Sequence, residues 1–167
     1  MTDRLELGED ALAIAASLLN ICRERSQLVV TAESCTGGLL AATLTAIPGA
    51  SDVFDRGFVT YSNAAKSEML GVPYWLIERH GAVSEDVARA MAGGALTHSH
   101  ADLAVAVTGI AGPDGGTPEK PVGLVYFAAG RRDEPISSEG VQFGDLGRNE
   151  VQRQSVTHAL KMLRSLL

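Results

Sequence analysis

The spacing of apolar positions changes repeatedly along the chain, and each change marks an element. Residues 8–25, GEDALAIAASLLNICRER, repeat Leu12, Ala15, Leu18, Leu19 and Ile21 at helical spacing, with acids first and arginines last. That charge order suits the helix dipole. QLVVTA, residues 27–32, is short and β-branched and predicts a buried strand. A helix is expected from Thr36 or Gly37 to about Thr45, ended by IPGA. DRGFVTYS, 55–62, alternates as a second strand, and NAAKSEML, 63–70, reads as a short helix stopped by Gly71. PYWLIER adds a further helical turn. Ser84 is a good N-cap for a helix running to about His98, with Glu85 and Asp86 in its first turn. DLAVAVTG, 102–109, is a fully apolar third strand, and IAGPDGGTPEKP, 110–121, is a loop. VGLVYFAA, 122–129, and ISSEGVQF, 136–143, form a hairpin around GRRDEP, and 148–167 is an amphipathic helix. Alternating helices and strands imply an α/β layer structure, and the hairpin makes its sheet of about five strands mixed.

Composition narrows the function. The 167 residues fit one domain, residues 1–167, with no linker or repeat. A net charge of −6 argues against broad binding to nucleic acid or anionic membranes, while leaving room for a local basic pocket. Two cysteines, Cys22 and Cys35, are too few for a disulfide scaffold. The polar, acidic start MTDRLELGED is not a signal peptide, and no apolar run is long enough to span a membrane. A cytoplasmic protein is the simplest expectation.

Three polar, glycine-bearing segments could carry chemistry: AESCTGG, TYSNAAK and TGIAGPDGG. Each follows a predicted strand, where open α/β sheets place ligands. Ser34 is either a helix cap or a nucleophile, and a serine nucleophile needs a base. None of the four histidines lies beside a motif, and His98 and His100 read as helix-closing residues rather than metal ligands. Lys66 can be that base if burial lowers its pKa; otherwise it is a solvated surface lysine. Cys35 competes with Ser34 but reads better as a small buried side chain beneath the turn. Glu33 either orients a partner or caps a helix, and Asp114 makes a turn. The backbone amides of Thr36, Gly37 and Gly38 would suit a phosphate or an oxyanion. The pair Arg131-Arg132 reads as a solvated hairpin tip. Arg148, a cation at a helix start, opposes the dipole and is suited to another task such as holding a phosphate. No metal cage is visible in the sequence.

Five stretches in order, AESCTGG, GFVTYSNAAKSEMLGV, HGAVSEDVA, TGIAGPDGGTPEKPVG and GDLGR, resemble the CinA C-terminal domain family, from about Leu28 to Leu163. The resemblance implies a three-layer α/β/α fold and hydrolysis of the carboxamide of nicotinamide mononucleotide to nicotinate mononucleotide and ammonia. It implies Ser34 as nucleophile, Lys66 as base and Tyr61 beside them. It further implies that the loop with Thr108, Gly109, Ala111, Gly112, Gly115 and Gly116 lines the nucleotide pocket, with Arg148 on the phosphate. Nearby cations, Arg148 among them, would keep the Lys66 pKa down. Two residues separate Asp145 from Arg148 where the family has none, and Gln152 stands where a second family arginine is expected. No metal or organic cofactor is required. The chain looks like the stand-alone form, without the larger members' N-terminal domain. The apolar last helix packs within the subunit or in a homo-oligomer. Alternative readings are another small-molecule amide hydrolase with the same pair, or a silent nucleotide-binding module.

Overall fold

The alternation of side chains along the strands builds two cores on one sheet. The structure, a computed structural model, describes residues 6–167. The expectation that residues 1–10 are not a signal peptide therefore falls partly outside the described residues. Five strands, β1 (Val29–Glu33), β2 (Phe54–Val59), β3 (Leu103–Gly109), β4 (Leu124–Arg131) and β5 (Ser137–Gln142), lie in the order β2-β1-β3-β4-β5. β1 runs parallel to both β2 and β3, whereas β3, β4 and β5 pair antiparallel. The sheet is therefore mixed, and the carboxyl ends of β1, β2 and β3 share one edge.

Val29, Leu103, Val105, Val107, Val125 and Phe127 point to one face, where α1 (Glu9–Glu24), α2 (Leu39–Thr45) and α6 (Arg148–Ser165) bury Leu18, Leu19, Leu40, Leu44, Leu160 and Leu163. Val30, Ala32, Ala104, Ala106 and Ala128 point to the other. There α3 (Asn63–Leu70), α4 (Tyr74–His80) and α5 (Glu85–Thr97) bury Leu70, Ile77 and Met91. The result is the three-layer α/β/α sandwich. A one-residue slip in β3 would exchange its Val/Leu face for its Ala face. Each fully buried Val or Leu is worth about 1.5–3 kcal/mol, so the register is firmly set.

The alanine face lets α5 approach closely, and α5 in turn receives the end of α3. A Cβ on Gly94 would sit 2.0 Å from the Leu70 carbonyl oxygen, so only glycine permits this contact. α3 carries Lys66, so the packing helps fix that side chain.

Two expectations are corrected. α2 starts at Leu39 rather than at Thr36 or Gly37. Gly37 and Gly38 have φ of 59° and 99° and form the turn before it, a conformation that side chains with a Cβ rarely adopt. The Arg131-Arg132 pair is not a solvated tip. Arg132 donates to the carbonyls of Leu96, Ser99 and Ala101, and Arg131 to that of Leu166. Both cap carbonyl-rich segments at helix ends, where a cation is favoured. No described helix is long and apolar enough to cross a membrane.

Candidate active site

β1 is buried along its whole length, including the polar Thr31 and Glu33. Its last residue, Glu33, turns its carboxylate back under α2. Oε1 accepts from the Leu40 amide at 2.8 Å and Oε2 from the Ala41 amide at 3.0 Å. Burial raises the pKa of this carboxyl, and the amide hydrogen bonds hold it down in part. Glu33 is thus the cap of α2, supplied from seven residues upstream. The free donors of the helix start are consumed within the fold.

Ser34 follows directly. Its amide donates to the Val107 carbonyl at 2.9 Å, an extension of the β1–β3 pairing, and its own carbonyl accepts from Gly37 at 3.0 Å. The serine is therefore held on both sides while its side chain faces a cavity of about 280 Å³.

Lys66 reaches the same cavity from one turn into α3, whose start is capped by the Ser62 hydroxyl accepting from the Ala65 amide. Its Nζ lies 2.9 Å from Ser34 Oγ and 2.9 Å from the Thr60 carbonyl oxygen. Lys66 is 1% exposed, and none of the described ion pairs includes it. Burial without a paired carboxylate pushes its pKa below the ordinary lysine value, with the Cys35 thiol pulling weakly the other way. Burial, rather than the neighbouring cations expected from the sequence, is the cause. An uncharged amine can donate one hydrogen to Thr60 and accept the Ser34 hydroxyl proton. Cys35 cannot compete, because burial pushes its thiol up to about 12 and leaves almost no thiolate at neutral pH.

The rest of the wall comes from the loop after β3 and from α6. Thr108, Gly109, Ala111, Gly112 and Gly115 line the cavity together with Tyr61 and Arg148. Thr108 donates to the Ala82 carbonyl at 2.8 Å and draws the loop after α4 into the wall. Arg148 Nη1 donates to the Gly112 carbonyl at 2.8 Å, and Nη2 to the Tyr61 hydroxyl at 2.7 Å. Among the described residues these two bonds use two of its five N–H donors. Tyr61 lines the same cavity as Ser34 and Lys66 and is 61% exposed.

Thr36, Gly37, Gly38 and Gly116 do not line the cavity. The first three lie in the turn behind Ser34, and Gly116 packs against the Val122 backbone. Ile110 and Asp114 belong to the loop expected there, 108–116, and do line it, whereas Asn63, Ala82 and Val83 line it and were not expected. Of these three, only Asn63 carried a sequence signal, as a polar residue inside TYSNAAK. Gln152 is buried outside the cavity, its Nε2 donating to the Cys35 carbonyl at 2.9 Å.

A wider groove of about 570 Å³ lies between the start of α1 and the outer face of α6. Its Arg153 is paired with Glu150 and its His158 with Glu139. The smaller cavity is the one that joins a hydroxyl to a buried amine. No cluster of three or more His, Cys, Asp or Glu suited to a metal ion occurs among the described residues.

The chain is similar throughout to proteins of one kind. It is 50% identical over 171 residues to a putative competence-damage inducible protein of Symbiobacterium thermophilum, an alignment covering 98% of this chain and 40% of that protein. The chain thus spans about two-fifths of the length of such relatives. It is 52% identical over 142 residues to the nicotinamide-nucleotide amidohydrolase PncC of Escherichia coli (strain K12), covering 84% of this chain and 85% of that protein. The crystal structure of the competence/damage inducible protein CihA from Agrobacterium tumefaciens superposes with a TM-score of 0.94 at 48% identity, over 96% of this chain and 97% of that one. Residues 11–167 match the CinA C-terminal domain, and the chain belongs to that family.

Proposed function

We propose that the chain, as one amidase domain, hydrolyses the carboxamide of nicotinamide mononucleotide to nicotinate mononucleotide and ammonia. The observation that carries this reading is the 2.9 Å contact between Lys66 Nζ and Ser34 Oγ, within the reach required of a nucleophile and its base. The likeness to the Escherichia coli amidohydrolase supplies the substrate class.

Lys66, uncharged in its buried position, takes the Ser34 proton as Oγ bonds to the amide carbon. The carbonyl oxygen becomes an oxyanion. The α2 amides of Leu40 and Ala41 are already bound to Glu33, so they cannot receive it. The Cys35 amide follows the nucleophile, belongs to a residue lining the cavity, and donates to no carbonyl among the described residues. It is the first candidate donor, and one such donor is worth about 3 kcal/mol of barrier. Lys66, now protonated, gives its proton to the departing ammonia as the C–N bond breaks. The acyl group stays as an ester on Ser34. Lys66 then removes a proton from water, which attacks the ester, and returns it to Ser34 Oγ as the ester bond breaks and the carboxylate product leaves. Arg148, which lines the cavity, is the cation suited to the 5′-phosphate.

Ammonia release is measured on nicotinamide mononucleotide, nicotinamide, its riboside and the dinucleotide, for wild type and Ser34→Ala. The mononucleotide is expected to be turned over fastest, and Ser34→Ala to be inactive while folded. Equal rates with and without the phosphate refute the substrate assignment. Full activity in Ser34→Ala refutes the nucleophile.

A further inference from the structure

The turn that holds Ser34 is closed by one internal hydrogen bond and tied to the rest of the molecule at two points, one of them a side chain. The Ser34 amide is bound to Val107 and the Ser34 carbonyl to Gly37. The Cys35 carbonyl, next along, accepts from no backbone amide among the described residues; its donor is the Gln152 side chain at 2.9 Å. Gln152 is 8% exposed and sits one helical turn after Arg148 on α6. It touches the turn from behind and does not line the cavity.

We propose that Gln152 is a positioning residue for the nucleophile turn, acting through the Cys35 carbonyl. The inference rests on the Ser34 acyl-transfer reading above.

Peptide planarity makes the argument. A trans peptide points its C=O and N–H in opposite directions. Gly37 holds the Ser34 carbonyl, so the Cys35 amide is aimed away from Gly37. The orientation of that amide also depends on where Cys35 itself sits, and its other end is held by Gln152. Cys35 is therefore fixed at both of its flanking carbonyls, with its amide left to face a reacting group. The same first turns of α6 hold the opposite wall, because Arg148 binds the Gly112 carbonyl and the Tyr61 hydroxyl. α6 thus sets the distance between the nucleophile turn and the β3 loop. Losing the Gln152 amide frees one side of this clasp and leaves a buried carbonyl without a donor. Arg148 and Thr108, which line the cavity, keep their own partners. The loss should therefore fall on the chemical step and not on binding.

The test is steady-state ammonia release from nicotinamide mononucleotide by wild type, Ser34→Ala, Gln152→Met and Gln152→Glu. Gln152→Met keeps the length of the side chain and removes the donor. Its kcat is expected to fall on the order of 10- to 100-fold, as for a displaced reacting group, with KM within about twofold of wild type. Gln152→Glu places an acceptor against the Cys35 carbonyl when ionised and a donor when protonated. The ratio of its kcat to that of wild type is expected to rise as the pH is lowered, which a purely structural role would not produce. An unchanged kcat in Gln152→Met, a loss confined to KM, or a ratio for Gln152→Glu that is flat with pH overturns the proposal. If Gln152→Met does not fold, the pH ratio of Gln152→Glu decides alone. A wild-type protein that releases no ammonia, or a fully active Ser34→Ala, instead overturns the acyl-transfer reading and takes this inference with it. An active wild type with a dead Ser34→Ala isolates the outcome to Gln152.

Discussion

Replacing Lys66 with methionine removes the amine while keeping most of the side chain's bulk, so its effects on rate and on stability can be separated. The amine makes two buried hydrogen bonds, to Ser34 Oγ and to the Thr60 carbonyl, each at 2.9 Å. The first supports the general base, whose loss typically costs about 10²- to 10⁴-fold in rate, or about 2.7–5.4 kcal/mol of barrier. The second leaves the Thr60 carbonyl without that donor, a cost of about 1–3 kcal/mol in stability. Against that cost stands the lysine's own burial penalty. The folded pKa lies below the unfolded one, so between the two values the unfolded chain binds more protons. Wild-type stability should therefore rise with pH through that window and lie flat below the folded pKa. Lys66→Met should lose this rise. Two assays read the outcome: ammonia release across about pH 6 to 10, and denaturant unfolding at the same pH values. Wild-type kcat/KM should climb with pH to a plateau whose inflection lies below the ordinary lysine value. Lys66→Met should be slow at every pH. A variant within tenfold of wild type, or a wild-type rate indifferent to pH, refutes lysine as the base. Unfolding curves with identical pH dependence in both proteins refute the lowered pKa.

Arg148→Ala should raise KM for nicotinamide mononucleotide by about tenfold to a hundredfold, the worth of one charge-assisted contact, and leave the riboside nearly unaffected; an equal loss on both substrates would deny it the phosphate. Glu33→Gln should lower stability by about 1–3 kcal/mol, because an amide NH₂ must face one of the α2 N–H donors, and thermal melting reads the loss. Gly94→Ala should cost about 1–3 kcal/mol, since its Cβ meets the Leu70 carbonyl at 2.0 Å. Its kcat should fall as well if the end of α3 shifts Lys66, and a wild-type melting curve would show that the helices separate freely.

Local pattern revealed β1 and β3 because they are short apolar runs bounded by turn residues and buried on both faces, and β2 because its residues alternate. It revealed α5 because its cap, Ser84, lies within its own segment, and α3 because Gly71 stops it. It misplaced the start of α2 because the cap, Glu33, sits at the end of a strand and reaches across a glycine turn. The same limit applied to Arg131 and Arg132. Their partners lie at the ends of α5 and α6, distant in sequence, and a basic hairpin tip looks solvated until those carbonyls are brought to it. Within the site, the residues of AESCTGG and the β3 loop could be chosen because glycine and hydroxyl residues clustered after strands. Lys66 could be singled out because it sits one turn into a helix just after a strand end, and the family resemblance gave it the role of base. Ala82 and Val83 carried no signal at all, for they enter the wall through the hydrogen bond from Thr108 to a backbone carbonyl. Gln152 looked like a lost arginine of the substrate pocket, but it is buried outside the cavity on the Cys35 carbonyl.

The most direct measurement is an NMR titration of the Lys66 side-chain amine in protein labelled with ¹⁵N-lysine, in wild type and in Ser34→Ala. The account predicts a resonance that loses its proton well below the pH at which the surface lysines do, with its position altered when the Ser34 hydroxyl is removed. A Lys66 amine that stays protonated until the surface lysines titrate, and is indifferent to Ser34, would contradict it.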